Sequence, residues 1–316
     1  MAGFFNSFYY GKAGKADFTP EQLPTNRRQL FFETLRVRFS SLIGINLLYV
    51  FFMLPSLLWT FINSQLIFSM LDPAMEAAGA AQAADPASQA ATIMGTVVIY
   101  LIGLIPCMAF SGVFKPGIVY VLRNWARDQH SFVWSDFKDA IKSNWKCGLL
   151  TGLINGFSLF LTYQCYLFYG DMAVSGSTFW VIPQTFIIVI CAMWWMANML
   201  IFPMMVTYEM KFRQLVRNSF IIVVARLPWS ILFFAGALVL PAALLLLGIP
   251  YGELIFIGLY LLIGFAITLF AFASYANSCF DKFLNPRIEG AAVNMGLRDP
   301  AYDDLDAEDE ADEVTQ

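Results

Sequence analysis

The stretch SLIGINLLYVFFMLPSLLWTFI, residues Ser41–Ile62, decides the fold. It contains no Lys, Arg, Asp or Glu. An α-helix rises about 1.5 Å per residue, so about 20 apolar residues cross the roughly 30 Å hydrocarbon core of a bilayer. Buried helices of soluble proteins are rarely this long and this free of charge. The stretch therefore predicts a transmembrane helix.

Five further segments are similarly long and apolar, and the only charged residue in them is Glu253 in the last one. The chain is 59% hydrophobic and 13% charged, whereas soluble proteins carry about 25% charged residues. So little charge cannot cover the surface of a soluble protein. We therefore expect an all-α integral membrane protein with six transmembrane helices. The predicted spans are residues 41–62, 92–114, 147–169, 179–206, 229–249 and 251–277.

The basic residues predict the orientation of these spans. All 19 Lys and Arg residues lie before the first span, after the last, or in the connections between spans two and three and between spans four and five. The other three connections contain none. Because basic residues accumulate in cytoplasmic connections, the pattern predicts that both termini lie in the cytoplasm (N-in, C-in).

Three regions follow from this topology. Residues 1–40 form a cytoplasmic segment with an amphipathic helix, and residues 41–285 form the six-helix membrane domain. Residues 286–316 form an acidic tail, in which positions 299–316 hold nine carboxylates and no basic residue. Such a segment cannot bury a core and is expected to be disordered. Residues 74–91, rich in Ala and Gln, predict a short helix or a flexible outer loop.

Each long cytoplasmic stretch contains apolar residues at helical spacing, such as Phe137, Ile141 and Trp145. Such helices either lie in the plane of the lipid headgroups or extend the spans and pack on one another. The order of cationic helix, span, outer loop and span occurs three times. It fits a degenerate threefold repeat, but any protein with an even number of spans and a cytoplasmic N-terminus shows the same alternation. The residues expected to contact anionic lipid or a partner are Arg123, Trp125, Arg127, Trp145, Lys146 and Arg217.

The residues that most enzymes need are missing from the spans. His130 is the only histidine, and it lies in a predicted turn, which excludes most His-based metal sites and catalytic triads. The spans lack paired carboxylates, which argues against proton relays, and the chain lacks a glycine-rich phosphate-binding loop. We therefore expect a non-enzymatic protein with no catalytic, cofactor-binding or metal-binding residues, and no nucleic-acid partner.

Neutral polar and small residues remain inside the spans. Gly148, Gly152 and Gly156 share one face of the third span and predict close packing of a neighbouring helix. The amides either form a polar cavity for a neutral solute such as a sugar, or join helices by hydrogen bonds. The amides in question are Asn46, Asn155, Gln184 and Asn198.

Two stretches resemble the YesL-like family of bacterial membrane proteins. They are LLYVFFMLPSL, residues 47–57, and KPGIVYVLRNWARDQHSFVWSDFKDAIKSNWK, residues 115–146. The resemblance implies a multi-pass protein of the bacterial plasma membrane, associated with carbohydrate uptake. It supplies no catalytic residues, because the family has no established activity.

The expected function is therefore a non-enzymatic accessory or regulator of carbohydrate uptake, with the bilayer, anionic lipids and the permease subunits of a sugar importer as partners. The alternative is a transporter of a small neutral solute such as a sugar. A transporter binds its solute in isolation, whereas an accessory protein co-purifies with permease subunits.

Overall fold

The computed structural model describes residues 23–71, 86–246 and 252–298. All regular secondary structure in these ranges is helical. Predictions for residues 1–22, 72–85, 247–251 and 299–316, including the acidic tail, lie outside the described residues. The α-helices are α1 (Arg27–Val37), α2 (Phe39–Leu71), α3 (Pro86–Trp125), α4 (Val133–Ser175), α5 (Val181–Met205), α6 (Phe212–Ala225), α7 (Leu227–Leu246), α8 (Gly252–Leu259) and α9 (Phe265–Phe283). A π-helical turn, Tyr260–Gly264, joins α8 to α9.

Four described helical segments are long and apolar enough to cross a membrane. They are Phe39–Leu71, Ala87–Trp125, Thr178–Met205 and Ile255–Arg287. The pair α6 and α7, bent by 100° between them, adds a fifth if the pair forms one span. The helix α4, which contains the predicted third span, is not among them. A multi-pass helical membrane protein is thus supported, while six spans and the N-in, C-in orientation stay predictions.

The two ends of the helix bundle are packed differently. At one end, which we call the Arg127 end, the side chains of Leu122, Trp125, Phe202 and Phe280 are almost fully buried. At the opposite end, which we call the Ser175 end, large apolar side chains are exposed. They include Phe61, Ile62, Phe68, Ile99, Phe168, Phe179 and Phe186. Such a surface is stable only in contact with lipid or another apolar partner.

Two of the predicted cytoplasmic helices are parts of longer helices. The helix α3 runs without a break through residues 116–125, and α4 begins at Val133 and includes residues 135–146. Pro116 does not open a new helix; it lies inside α3. The helix α6 is separate from its neighbours, and the apolar face it buries includes Leu215 and Val223. The structure thus favours packed extensions for α3 and α4.

The connections and the C-terminal segment also differ from the prediction. Because α2 continues to Leu71 and α3 begins at Pro86, the connection between the first two predicted spans is shorter than predicted. Residues 286–298, assigned to the tail from the sequence, fold back on the Arg127 end. The backbone N–H of Arg298 donates to the carbonyl of Pro24 at 2.9 Å. The run of nine carboxylates begins only at Asp299, and residues 286–298 contain a single one, Glu289, so they lack the charge density that predicts disorder.

Candidate functional site: a cavity around Lys115

A glycine contact fixes α3 against α4 beside Lys115. A Cβ atom on Gly148 would overlap the carbonyl oxygen of Gly112, and a Cβ atom on Gly156 would lie 2.6 Å from the Cα of Ile105. Pro116 has no N–H, so the carbonyl of Gly112, four residues earlier, lacks its helical hydrogen bond. Close approach of two glycine-bearing helices lets such a carbonyl contact the opposite Cα. This contact places Lys115 on a rigid helix pair.

Asn46 on α2 holds the π-helical turn that joins α8 to α9. Its Nδ2 donates to the carbonyls of Tyr260 at 3.1 Å and Leu261 at 2.7 Å. Its Oδ1 accepts from the backbone N–H of Ala266 at 2.8 Å. A π-helical turn leaves backbone groups without their usual partners, and the fully buried Asn46 side chain supplies them. The turn positions Tyr260 and Phe265 beside Lys115.

A cavity of about 360 Å³ adjoins Lys115, and a second lobe of about 230 Å³ lies next to it. Lys115 lines both lobes, together with Trp195 and Phe202 of α5. The larger lobe extends between α7 and α9, and the smaller one reaches α2 and the glycine contact. The residues common to both are Lys115, Trp195, Phe202, Tyr260, Phe265, Thr268, Leu269 and Phe272. The wall is thus mostly apolar and aromatic.

Among the described residues that line this cavity, Lys115 is the one with a cationic side chain, and no lining residue is acidic. Its Nζ lies 4.3 Å from the centre of the Phe202 ring, a cation–π contact worth about 0.5–2 kcal/mol. Two more wall residues carry buried polar atoms without a hydrogen-bond partner among the described residues: Nε1 of Trp195 and Oδ1 of Asn198. The cavity therefore combines apolar walls with an uncompensated cation.

The predicted intramembrane amides do not form one polar cavity. Nε1 of Trp194 donates to Oδ1 of Asn155 at 2.8 Å, and Nδ2 of Asn198 donates to the carbonyl of Trp194 at 3.0 Å. Gln184 donates to the carbonyl of Tyr166 at 3.1 Å, on a more exposed part of the bundle. With Asn46 on the π-helical turn, each amide bonds to the protein itself. Only Asn198, with its free Oδ1, and Asn155 line the lobes around Lys115.

The residues predicted to contact lipid or a partner separate into two groups. The side chains of Trp125 and Arg127 are buried at the Arg127 end, and Arg123 is half-buried with Nη1 donating to Oδ1 of Asn124 at 3.0 Å. These three residues lie inside the protein because α3 continues to Trp125. Trp145 and Lys146 are exposed on α4, with the Lys146 Nζ 5.5 Å from the Trp145 ring centre. Arg217 is exposed on α6.

A polar cluster joins the chain segments at the Arg127 end. Arg27 pairs with Asp281 at 2.5 Å, and both side chains are largely buried. The hydroxyl of Tyr208 donates to Oδ1 of Asn285 at 2.5 Å. Burial raises the pKa of Tyr208 to about 12, although the nearby arginines oppose this shift. Burial lowers the pKa of Arg127, and Asp281 opposes that change. This cluster ties α1, α3 and α9 together.

No metal-binding group of three or more His, Cys, Asp or Glu side chains occurs in residues 23–71, 86–246 and 252–298. The sequence indicated Gly148, Gly152 and Gly156, but it did not single out Gly112 or the π-helical turn. It placed Lys115 in a connection because the charge ended the apolar run. The apolar residues that resume at Ile118 were the available signal that the helix continues.

Comparison with known proteins gives one family match. Residues 42–164 match the model of a family described as a protein of unknown function, DUF624. The matched stretch contains most of α2, all of α3 with Lys115, and the glycine-bearing part of α4. No curated protein matches the chain. No solved structure matches it either. Over residues 42–164 the chain is therefore similar to a family whose function is not known.

Proposed function

We propose that this chain is a non-enzymatic accessory protein of carbohydrate uptake in the bacterial plasma membrane. The proposal is carried by the hydrogen bonds of the amide side chains in the predicted spans. Each of them bonds to another group of the protein: Asn46, Asn155, Gln184 and Asn198. A pathway for a sugar needs polar groups free to replace the water around its hydroxyls. The mostly apolar wall around Lys115 offers few of them, among which are Nε1 of Trp195 and Oδ1 of Asn198. The structure thus favours an accessory role over transport of a neutral solute.

The similarity to DUF624 over residues 42–164 is consistent with the YesL-like resemblance. That resemblance implies association with carbohydrate uptake, which makes the permease subunits of a sugar importer the proposed partners. The sequence contains no recognisable catalytic arrangement, neither an acid–base pair nor an activated nucleophile. This supports a non-enzymatic role.

The proposed topology has six spans with both termini in the cytoplasm. The helix α4 is the span that hydropathy alone does not identify, because its glycines and amides lower its mean apolarity. Its glycine face packs on α3 from Gly148 to Gly156, so that face needs no apolar side chains. The Arg127 end is then cytoplasmic. At this end the exposed Trp145, Lys146 and Arg217 are proposed to contact anionic lipid headgroups.

A partner surface on the cytoplasmic side is available at the turn between α3 and α4. Phe132 is 72% exposed and Trp134 is 58% exposed. Exposed aromatic residues are common anchors of protein interfaces. Phe179 is similarly exposed, at 65%, but lies at the opposite end of the bundle. It therefore provides a matched control.

The test is affinity purification from native membranes under mild detergent, with identification of the retained proteins, alongside solute binding to the purified chain. We expect permease subunits to co-purify with the parent and with Phe179→Ser, and to be lost from the double variant Phe132→Ser, Trp134→Ser. The isolated chain is expected to bind no sugar. Saturable sugar binding by the isolated chain, without a permease partner, would contradict the accessory role and support the transporter.

A further inference from the structure

Lys115 is a charged residue in a position where charge is costly. It lies 10 positions before Trp125, the last residue of α3, which corresponds to about 15 Å along the helix axis. The predicted second span ends at Phe114, the residue before it. Lys115 therefore lies near the boundary between hydrocarbon and headgroups. An ionisable residue at such a depth normally has a partner that offsets its charge.

The described residues provide no such partner. The two ion pairs found among them, Arg27 with Asp281 and Asp139 with Lys142, do not involve Lys115. The ammonium contacts the Phe202 ring, and a neutral ring does not cancel a charge. The cavity wall also holds two unsatisfied buried atoms, a donor on Trp195 and an acceptor on Asn198. An anion that also carries a hydroxyl group would offset the charge of Lys115 and satisfy the Trp195 donor and the Asn198 acceptor.

The cavity also extends towards the outside of the helix bundle. Its larger lobe is lined on α7 by Phe234, Ala237 and Leu238. Leu238 is 51% exposed on the outside of the bundle. The lobe therefore lies next to apolar side chains on the outside of α7, which in the proposed topology would contact the hydrocarbon of the bilayer. A ligand in this position has its charged part near Lys115 and its apolar part among the rings of α7 and α9.

We propose that this cavity is a binding site for an anionic glycerophospholipid with a hydroxyl-bearing headgroup, such as phosphatidylglycerol. The lipid phosphate pairs with the ammonium of Lys115, and the N–H of Trp195 is a second donor to it. A headgroup hydroxyl donates to Oδ1 of Asn198. One acyl chain occupies the lobe beside Ala237. This assignment goes beyond the accessory role and does not depend on it.

The test measures lipid binding to the purified full chain in a neutral detergent. Phosphatidylglycerol and phosphatidylcholine with the same acyl chains are titrated separately, with thermal stability and native mass spectrometry as readouts. We expect phosphatidylglycerol to raise the Tm and phosphatidylcholine to have no comparable effect. Lys115→Met should weaken phosphatidylglycerol binding by about tenfold or more, because it removes a charge-assisted contact. Lys115→Arg should keep most of the binding.

Two further variants separate the proposed site from general surface attraction. Ala237→Trp fills the apolar lobe and leaves all charges in place, so it should also lose the response to phosphatidylglycerol. Lys142→Met removes an exposed charge on α4 and should behave like the parent. An equal response of the parent, Lys115→Met and Ala237→Trp would overturn the proposal. So would equal stabilisation by soluble glycerol phosphate, because the ligand would then be a soluble anion and not a lipid.

Discussion

The contact between α3 and α4 makes a sharp prediction for Gly152→Ala. A Cβ atom at Gly152 would overlap the carbonyl oxygen of Met108 and lie 3.0 Å from the Cα of Ala109. Optimal contacts between carbon atoms are about 3.5–4.0 Å, so the two backbones must separate. Overpacking costs about 1–3 kcal/mol, whereas Ala in place of Gly gains about 1 kcal/mol of helix propensity. A net destabilisation of up to about 2 kcal/mol is expected.

The assay is thermal unfolding in detergent, followed by tryptophan fluorescence, against two matched controls. A Cβ atom at Gly44 or at Gly95 would meet no other atom within 4 Å. Gly44→Ala and Gly95→Ala should therefore be as stable as the parent or slightly more stable. Gly152→Leu should be less stable than Gly152→Ala, and a change at the exposed Leu153 should be milder. If Gly152→Ala is as stable as Gly44→Ala, the helices do not approach each other as described.

Two further predictions concern polar contacts between distant segments, and both are read from the same unfolding assay. Asn46→Ala removes three buried hydrogen bonds to the π-helical turn. It should destabilise the protein by about 2–3 kcal/mol, because backbone groups are left unpaired. A loss of stability below about 0.5 kcal/mol would mean that the turn does not need this side chain. A double-mutant cycle on Arg27→Met and Asp281→Asn should give a coupling of at least about 1 kcal/mol, since both side chains are largely buried. The same cycle on the exposed pair Asp139 and Lys142 should give about 0–0.5 kcal/mol, and equal couplings for the two pairs would contradict the buried cluster.

The helices and the glycine face of α4 could be predicted because both depend on residues that are close together in the sequence. Gly148, Gly152 and Gly156 recur every four residues, so one helix is enough to show that they share a face. Gly112 has no such neighbours, and its role depends on which helix lies opposite it. The contact between Asn46 and the π-helical turn joins residues more than 200 positions apart. Neither feature has a local signature in the sequence.

Lys115 shows why helix ends are harder to predict than helices. A charge followed by Pro116 normally predicts the end of a span. In this fold, however, Pro116 removes only the hydrogen bond to the carbonyl of Gly112, and that carbonyl faces the glycine of the next helix. The helix therefore continues and carries Trp125 and Arg127 into the packed end. The same continuation explains why these two residues are buried.

Topology mapping in living cells tests the central claim most directly. Reporters that are active only on one side of the membrane are fused after Ala80, His130, Ser175, Asn218 and Asp299. Six spans with the Arg127 end inside require cytoplasmic signals at His130, Asn218 and Asp299, and external signals at Ala80 and Ser175. Ser175 is the decisive position, because it shows whether α4 crosses the bilayer. A cytoplasmic signal at Ser175, or an external one at His130, would contradict the six-span account.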